Sequence, residues 1–427
     1  MKNIFLLTNF SQYLKSYSPI IVVREQIKMF TRAGYKPVLI VSEGWEPPES
    51  DEAYFNVRTE RMVPAHIYGE PKEFSEQDTQ EIDQLEESIN NLLPDDAIVI
   101  THDLIFLPDY VKHNVACRRI AEKRPSIQWI HWIHSATSPN LLIKERSMYG
   151  EKYGELLNSK FPNSIVAFPN SYDIPRVAKN FSYEEDEVFE VPHSTDPTEG
   201  MAPIVKRLYD DKELGEADVL MVYPLRLDRG KNAEMNVRVI AQCKEIGLDV
   251  RLIFCDFQST GDDKIVYRED LKKLAKEQGV EHEVIFLSEF DEASEMESDH
   301  QVVLDLFTLS NFFMLPSKSE TYSLVAQEAM MRGNFCILNH DFPPMRSIYG
   351  KHAIYRQFSS NIGFDGFDGE IKTEYGDIDE YMRMIARNIK YYLENNKVVS
   401  GKTFVRKERN PDAVFASYLE PLLFREG

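Results

Sequence analysis

Cysteine is scarce in this sequence, and long apolar runs are missing from it. The four cysteines form no CxxC pair: Cys117, Cys243, Cys255 and Cys336. Their spacing therefore indicates neither a zinc site nor a disulfide framework. No window reaches the roughly eighteen consecutive apolar residues that a membrane-spanning helix needs. The apolar run near the N-terminus is too short for a signal peptide, so we expect a cytoplasmic protein.

The sequence also contains fewer basic than acidic residues. Lysine and arginine number 49 against 70 aspartates and glutamates, which gives a formal net charge of −21 at pH 7. A surface this acidic repels polyphosphates, so the composition argues against nucleic acid as a partner. The length of 427 residues is enough for two domains, since a domain usually takes about 150–200 residues.

Short apolar runs alternate with amphipathic stretches along the chain. Such runs are typical of buried parallel strands, and the stretches between them have the period of helices. The predicted strands are 3–8, 37–41, 97–101, 127–133, 164–168, 188–191, 217–223, 250–255, 284–287, 311–315 and 335–338. The predicted helices are 20–32, 79–92, 110–123, 232–245, 267–278, 301–309, 322–332, 378–393 and 412–423. A turn-rich stretch after Pro192 divides two β/α series of similar size. We therefore predict an α/β protein with two Rossmann-like, doubly wound domains facing each other across a cleft.

The most informative segment spans residues 311–333. An apolar strand leads into a polar loop and a helix predicted to begin near Tyr322, with Glu320 at the helix start and Glu328 eight residues later. A helix N-terminus attracts phosphate through its free N–H groups and its partial positive charge, so we expect the backbone of 321–324 to bind an anion. Glu328 would accept hydrogen bonds from ribose hydroxyls, and Glu320 from a sugar hydroxyl. Glutamates at this spacing also occur on solvated helix faces, but a position at the carboxyl edge of a parallel sheet favours a ligand site.

Basic residues follow the first strand of the second series. Arg226 and Lys231 lie in the sequence YPLRLDRGKN, on a loop at the same edge of the sheet. Cleavage of a sugar–diphosphate bond leaves extra negative charge on the departing phosphate, which cations stabilise. Arg229 is an alternative for either role, and taken alone all three would be solvated surface charges.

Together, RLDRGKN and the later SETYSLVAQEAMMRG resemble the retaining glycosyltransferases of the GT-B fold, above all the large family four. Glu320 and Glu328 match that family's E-x7-E motif. Three further segments match the family less specifically: VPHSTD, QWIHWIHS and, near the C-terminus, NPDAVFASYLEPLL. The resemblance therefore covers most of the chain. It implies an acceptor-binding domain over 1–197, on which a C-terminal helix at 410–427 packs, and a nucleotide-sugar-binding domain over 198–409.

The resemblance also implies roles for single residues. Arg226 and Lys231 would hold the donor diphosphate, Glu328 the ribose and Glu320 the donor sugar. The loop between the two glutamates would complete the donor site with Thr321, Tyr322, Ser323 and Leu324. Four residues are expected to act in catalysis: His134, Arg226, Lys231 and Glu320.

His134 would lie beside the anomeric carbon, at the carboxyl end of the predicted strand 127–133. His131 is the alternative, and strand alternation places the two on opposite faces. His102 and Asp103 follow another predicted strand. They would either line the cleft or form a polar turn with a helix cap.

The sequence departs from the family at two points. The loop after the first strand, residues 9–19, contains aromatic residues and no glycine. Thr321 and Ser323 stand where glycines are common. Both changes leave the identity of donor and acceptor open.

The resemblance implies sugar transfer with retention from a nucleoside-diphosphate sugar, a UDP-sugar rather than a GDP-sugar, to a glycan, lipid-linked or other hydroxyl acceptor. No cofactor is expected. No DxD-type pair lies at a strand end, so we also expect no metal. One alternative is a catalytically silent sugar-nucleotide-binding subunit. Another is a different GT-B enzyme, either an epimerase or an inverting transferase, whose base would be His102 or Asp103.

A basic cluster lies on or after the predicted helix 110–123. It suggests at most a peripheral contact with an anionic membrane, and a solvated helix face is the alternative. Its members are Lys112, His113, Arg118, Arg119, Lys123 and Arg124.

Overall fold

The computed structural model of the chain shows two compact units. It describes residues 2–49, 55–65, 74–105, 107–137, 156–157, 159–224, 226–256, 263–291, 299–358 and 377–425. The first unit comprises Met1–Asp196 and Arg409–Gly427, and the second comprises Pro197–Glu408.

The first unit contains a seven-stranded sheet in the order β3-β2-β1-β4-β5-β6-β7. All neighbouring strands are parallel. The strands are β1 Asn3–Leu7, β2 Val38–Ser42, β3 Arg58–Met62, β4 Ala97–His102, β5 Gln128–Trp132, β6 Ser164–Phe168 and β7 Val188–Glu190. Every residue of β2 and β4 is buried, as expected for strands covered by helices on both faces.

The second unit contains a six-stranded sheet in the order β10-β9-β8-β11-β12-β13, again with parallel neighbours. Its strands are β8 Val219–Tyr223, β9 Val250–Phe254, β10 Val284–Phe286, β11 Phe312–Leu315, β12 Phe335–Asn339 and β13 Ile354–Arg356. In both sheets the strand order reverses beside the first strand of the unit, so ligand sites are expected at the carboxyl ends of the strands there.

The helices follow the strands in alternation. In chain order they are α1 Ser18–Arg32, α2 Glu76–Leu92, α3 Val111–Lys123, α4 Ile174–Phe181, α5 Pro203–Asp211, α6 Glu234–Glu245, α7 Asp263–Glu277, α8 Leu287–Phe290, α9 His300–Leu309, α10 Leu324–Met331, α11 Pro343–Tyr349, α12 Ile378–Asn395, α13 Lys397–Glu408, α14 Pro411–Val414 and α15 Glu420–Leu423. A π-helical turn, Phe415–Leu419, joins the last two. Within the described ranges, no helix combines the length and apolar character that crossing a membrane requires.

The last helices belong to the first unit and pack on α1. The Phe415 ring lies 5.8 Å from that of Phe30, edge to face. Arg32 forms an ion pair of 2.5 Å with Asp412. The chain therefore ends on the unit in which it began.

The predicted α/β fold with two Rossmann-like domains is confirmed, and two such units in one chain fit the GT-B fold. All predicted strands are present, and the described residues contain two more, β3 and β13. The sequence RTERM of β3 is polar because this strand lies at the sheet edge, with only Met62 buried. Strand β13 lies at an edge of the second sheet, and its three half-buried residues are too few to give a recognisable pattern.

Most of the basic cluster on α3 is paired with acidic residues rather than free in solvent. Lys112 is 2% exposed and lies 2.7 Å from Asp78 and 2.5 Å from Glu81, both on α2. Arg118 is buried and donates to backbone carbonyls, and His113 is buried as well. The remaining ion pairs are Arg119 with Asp83 and Glu86, Lys123 with Glu86, and Arg124 with Asp95. The cluster is therefore solvated only in part, at Arg119 and Lys123, and it is not the free surface that docking on an anionic membrane needs.

A single buried amide joins β8 to β11. The Asn311 Oδ1 atom accepts a hydrogen bond of 3.0 Å from the Leu220 backbone N–H. Its Nδ2 atom donates to the Asp218 carbonyl at 2.7 Å and to the Thr403 hydroxyl at 2.8 Å. The side chain is fully buried, so these bonds are not exchanged with water.

We predict that Asn311→Leu destabilises the second unit by about 2–4 kcal/mol, because it leaves a buried N–H and a buried carbonyl without partners. Circular dichroism on heating and hydrogen exchange at Leu220 measure the effect. Asn395→Leu is the matched control, since the exposed Asn395 side chain only donates to a carbonyl of its own helix. Equal unfolding midpoints for the two variants would contradict the prediction.

Candidate functional site

Two loops at the carboxyl edge of the second sheet are joined to each other. The Tyr223 hydroxyl, at the end of β8, donates a 2.8 Å hydrogen bond to the Lys231 carbonyl. The Lys318 backbone N–H, in the loop after β11, donates to the Gly230 carbonyl at 2.9 Å. The bond from Tyr223 holds the loop after β8 against the end of its own strand. The bond from Lys318 holds that loop next to the loop after β11.

Asn232 strengthens this junction. Its backbone has φ of +56°, a left-handed conformation that asparagine tolerates better than most residues. The buried side chain donates to the Pro316 carbonyl at 3.2 Å and to the Phe358 carbonyl at 3.4 Å. The end of the β8 loop is thus tied to two other segments.

The junction brings Lys231 and Glu320 together. Lys231 Nζ lies 2.5 Å from Glu320 Oε1, and the side chains are only 16% and 13% exposed. Partial burial strengthens the attraction and raises the cost of leaving either group unpaired. Two of the residues predicted for the site are therefore in contact.

The two arginines of the β8 loop have different environments. Arg229 forms a 2.5 Å ion pair with Asp270 and lies over the Tyr267 ring at 5.0 Å. Arg226 is exposed, and its guanidinium has no hydrogen bond or ion pair with any residue that the structure describes. Arg226 is thus available for a ligand, whereas Arg229 is already occupied.

Helix α10 begins at Leu324, two residues later than predicted. Ser323 precedes it with φ of +64° and ψ of 80°, a left-handed conformation that the first residue of an α-helix cannot have. The Tyr349 hydroxyl holds this turn through the carbonyls of Ser323 at 2.6 Å and Tyr322 at 3.0 Å. The Ser323 side chain makes no capping hydrogen bond, and the first two N–H groups of the helix have no partner among the residues that the structure describes, whereas the Ala326 N–H donates to the Ser323 carbonyl at 3.2 Å.

The remaining predicted residues lie around this helix start. Thr321, Tyr322 and Leu324 are exposed. Glu328, one turn into α10, lies 3.3 Å from the Nε2 atom of His300, the first residue of α9. His300 was not predicted, because nothing in a single sequence indicates that it lies near Glu328.

In the first unit, three histidines stack at the carboxyl edge of the sheet. His102 ends β4, His134 follows β5, and His193 follows β7. The ring centroids of His102 and His134 are 5.6 Å apart, and those of His134 and His193 are 5.5 Å apart. The predicted residue His134 therefore lies in the middle of a stack, and the sequence analysis missed His193 because it treated VPHSTD only as a turn.

Asp103 lies against this stack. Its φ is +53°, and its Oδ1 atom accepts a 3.0 Å hydrogen bond from the His134 backbone N–H. Burial raises the pKa of Asp103 to about 6, although the bond from His134 acts in the opposite direction. The Asp103 carboxylate therefore fixes the backbone that follows β5.

Burial also keeps the histidines neutral. It lowers the pKa of His134 to about 4, with a smaller effect from neighbouring His193. Burial and the two other rings hold the pKa of His102 well below 6.5. At neutral pH these rings therefore act as neutral hydrogen-bonding groups.

His131, the alternative to His134, lies on the opposite face of β5 and is fully buried. Its Nδ1 atom is 2.8 Å from the Thr101 hydroxyl, and its ring packs 4.4 Å from that of Phe161. These contacts are those of a core residue.

The described residues contain no cluster of three histidine, cysteine, aspartate or glutamate side chains that could hold a metal ion.

Three fully buried histidines of the first unit predict a stability that depends on pH. Burial lowers the pKa of His113 to about 4 and those of His102 and His131 far below 6.5. The unfolded chain takes up these protons below pH 6.5 and the folded chain does not, so stability falls with pH from there towards pH 4. The raised pKa of Asp103 acts in the opposite sense and offsets about 1 kcal/mol. These four groups give a net loss of about 3 kcal/mol between about pH 7 and about pH 5.5, and the lowered pKa of His134 adds to it.

Urea unfolding followed by tryptophan fluorescence tests this prediction, because all three tryptophans lie buried in the first unit: Trp45, Trp129 and Trp132. His131→Leu should flatten the pH dependence by removing one of the titrating groups. Stability that stayed constant or rose on acidification would show that the histidines are not held neutral.

Comparison with solved structures gives distant similarities. HepE from Anabaena, crystallised with UDP, is 13% identical over 99% of each chain with a TM-score of 0.35. A glycosyltransferase from Rickettsia africae is 11% identical over 100% of each chain, with a TM-score of 0.38. Sucrose-phosphate synthase from Thermosynechococcus elongatus is 15% identical over 99% of this chain and 98% of its own, with a TM-score of 0.34. Values this low assign no function. No curated protein matches the chain.

A family model gives a more local result. Residues 206–354, about a third of the chain, match the model described as glycosyl transferases group 1. The matched segment lies within the second unit and contains Arg226, Lys231, Glu320 and Glu328. The similarity to this family is therefore confined to the second unit.

Proposed function

We propose that this chain transfers a sugar from a nucleoside-diphosphate sugar to an acceptor hydroxyl, with retention and without a metal ion. The observation that carries the proposal is the 2.5 Å contact between Lys231 and Glu320 beside the uncapped start of α10. It lies inside the segment that matches the family model. A cation, free backbone N–H groups and a carboxylate are the groups that a diphosphate and a sugar hydroxyl require.

In this proposal the diphosphate lies between the first N–H groups of α10 and the cationic side chains of Arg226 and Lys231. Arg226 offers a bidentate guanidinium, and Lys231 offers a compact charge already oriented by Glu320. As the sugar–phosphate bond breaks, these groups stabilise the negative charge that develops on the phosphate. Glu320 accepts a hydrogen bond from the sugar, and Glu328 accepts hydrogen bonds from the ribose.

The first unit would bind the acceptor near the stacked histidines, with His134 beside the anomeric carbon. In a retaining reaction the departing phosphate takes the proton of the acceptor hydroxyl, so no side chain has to act as a strong base. Neutral histidines suit such a site. A UDP-sugar is the proposed donor, and a glycan, a lipid-linked sugar or another hydroxyl compound is the proposed acceptor.

One observation favours a second candidate, an inverting transferase. Such an enzyme needs a general base in the first unit, and the pKa of Asp103, raised by burial to about 6, suits that role. The anomeric configuration of the product, read from proton couplings, separates the two reactions. An α-linked product from an α-linked donor supports retention, whereas a β-linked product shows inversion, for which Asp103 is the candidate base.

We predict that Glu328→Ala weakens nucleoside-diphosphate binding about tenfold to hundredfold, the effect of losing hydrogen bonds to a charged group. Calorimetry with UDP, GDP, TDP and ADP measures the affinity and identifies the preferred base. Glu245→Ala is the matched control, because the exposed Glu245 pairs only with Arg383, 2.8 Å away. If no nucleotide bound the wild type, this would contradict the proposed donor site.

We predict that Lys231→Ala lowers kcat by roughly 10²–10³, the loss expected for one group that stabilises charge in the transition state. Lys244→Ala is the control, since it also removes a lysine–glutamate pair of the second unit, 2.6 Å from Glu283. Sugar transfer measured with and without EDTA completes the test. Loss of activity in EDTA, with little effect of Lys231→Ala, would show that a metal neutralises the diphosphate instead.

A further inference from the structure

A chain of hydrogen bonds reaches His134 from the interior of the first unit. Gln26, on α1, is fully buried, and its Oε1 atom lies 3.0 Å from His102 Nε2. The other ring nitrogen, His102 Nδ1, lies 3.3 Å from His134 Nε2. The three side chains come from α1, from the end of β4 and from the residues after β5. The packing of these elements therefore fixes the chain.

The atoms at each link determine where the hydrogens lie. A glutamine Oε1 can only accept, so His102 carries its hydrogen on Nε2 and donates to Gln26. In a neutral imidazole the second nitrogen then carries a lone pair and no hydrogen. His102 Nδ1 therefore accepts a hydrogen bond from the N–H group of His134 Nε2. His134 consequently has its hydrogen on Nε2 and a lone pair on Nδ1.

The surroundings of His134 leave that Nδ1 atom available. The His193 ring stacks against the His134 ring, and Asp103 accepts from its backbone N–H rather than from the ring. Among the described residues, none forms a hydrogen bond with Nδ1, and His134 is only partly buried. The free lone pair is thus the one polar atom of the ring that a bound molecule can contact.

The environment of Gln26 also argues for a role beyond packing. Its Nε2 atom is buried without a partner. An unsatisfied amide destabilises a fold, so an apolar residue of similar shape would suit the core at least as well. The contact that only a polar residue can supply here is the one with His102.

We propose that Gln26 and His102 are positioning residues that hold His134 with its hydrogen on Nε2, so that Nδ1 accepts a hydrogen bond from a hydroxyl group of the sugar substrate. The substrate part of this inference depends on the proposed sugar transfer. The tautomer depends only on the geometry of the first unit.

Nitrogen-15 spectra of the histidine rings in the full chain test the tautomer directly. His134→Phe and His102→Phe assign the signals. In the wild type at neutral pH we expect hydrogen on Nε2 of both rings and a coupling across the hydrogen bond between them. Gln26→Met should reduce the tautomer preference of both rings about fivefold, as expected for the loss of one neutral hydrogen bond.

Two results would overturn the tautomer assignment. One is hydrogen on Nδ1 of His134 in the wild type, and the other is a His134 tautomer that Gln26→Met leaves unchanged. Thermal unfolding separates positioning from stability, because Gln26→Met also removes an unpaired amide and should unfold close to the wild-type temperature. Gln242→Met is the matched control, since Gln242 is a buried glutamine of the second unit that accepts a bond from Arg383 at 3.0 Å.

Sugar transfer tests the substrate part. Gln26→Met should lower kcat by the same factor as the measured fraction of His134 that carries its hydrogen on Nε2, at most about fivefold, while KM for the donor and the activity of Gln242→Met stay unchanged. A kcat that does not follow this measured fraction would overturn the substrate contact and leave the tautomer assignment in place. A wild type that transfers no sugar would refute the proposed function and with it the substrate contact, whereas the spectra would still decide the tautomer.

Discussion

The backbone hydrogen bond between Lys318 and Gly230 joins two loops that are far apart in the sequence, and the charged part of the site depends on it. Lys231 follows Gly230 directly, and Glu320 lies two residues after Lys318. The bond therefore brings the ammonium and the carboxylate within reach of each other. Because both side chains are mostly buried, each needs the other when no ligand is bound. A diphosphate would find a cation already desolvated and oriented, which reduces the cost of ordering the site on binding.

The same loops owe their shape to left-handed residues that are not glycine. Asn232 and Ser323 both have positive φ, a conformation that costs non-glycine residues free energy and persists only where surrounding contacts impose it. Those contacts are visible here, since Asn232 donates to two carbonyls and Tyr349 donates to the carbonyl of Ser323. The helix start is consequently held by a tyrosine from α11.

The fold was largely predictable because buried parallel strands have a strong sequence pattern. Runs such as AIVITH and VLMVY are almost entirely apolar, and the structure buries them completely. Edge strands have one neighbour and a solvated side, so RTERM gave no such signal. Helix starts depend on single backbone angles, which is why the helix at Leu324 begins later than the periodicity suggested.

The site was predictable only in part, since side chains that meet through the fold leave no local trace. Glu320 and Glu328 were recognisable from their spacing and from the strand before them. Their contacts with Lys231 and His300 join residues of different loops and helices. His193 and Gln26 were missed for the same reason. His193 lies beside the ring of His134, and Gln26 is hydrogen-bonded to the ring of His102, so each contacts a residue of a distant segment.

The two units differ in the charge that they bring to the proposed reaction. The second unit presents cations and helix N–H groups, which suit a departing phosphate. The first unit presents histidines that burial keeps neutral, with the pKa of His134 at about 4. Glycosyl transfer passes through a transition state in which the sugar ring carries positive charge. An imidazolium beside that ring would oppose the reaction, whereas a neutral His134 with a free lone pair can bind a hydroxyl without adding charge. In the proposed reaction, the burial of these histidines would therefore serve the chemistry as well as the packing.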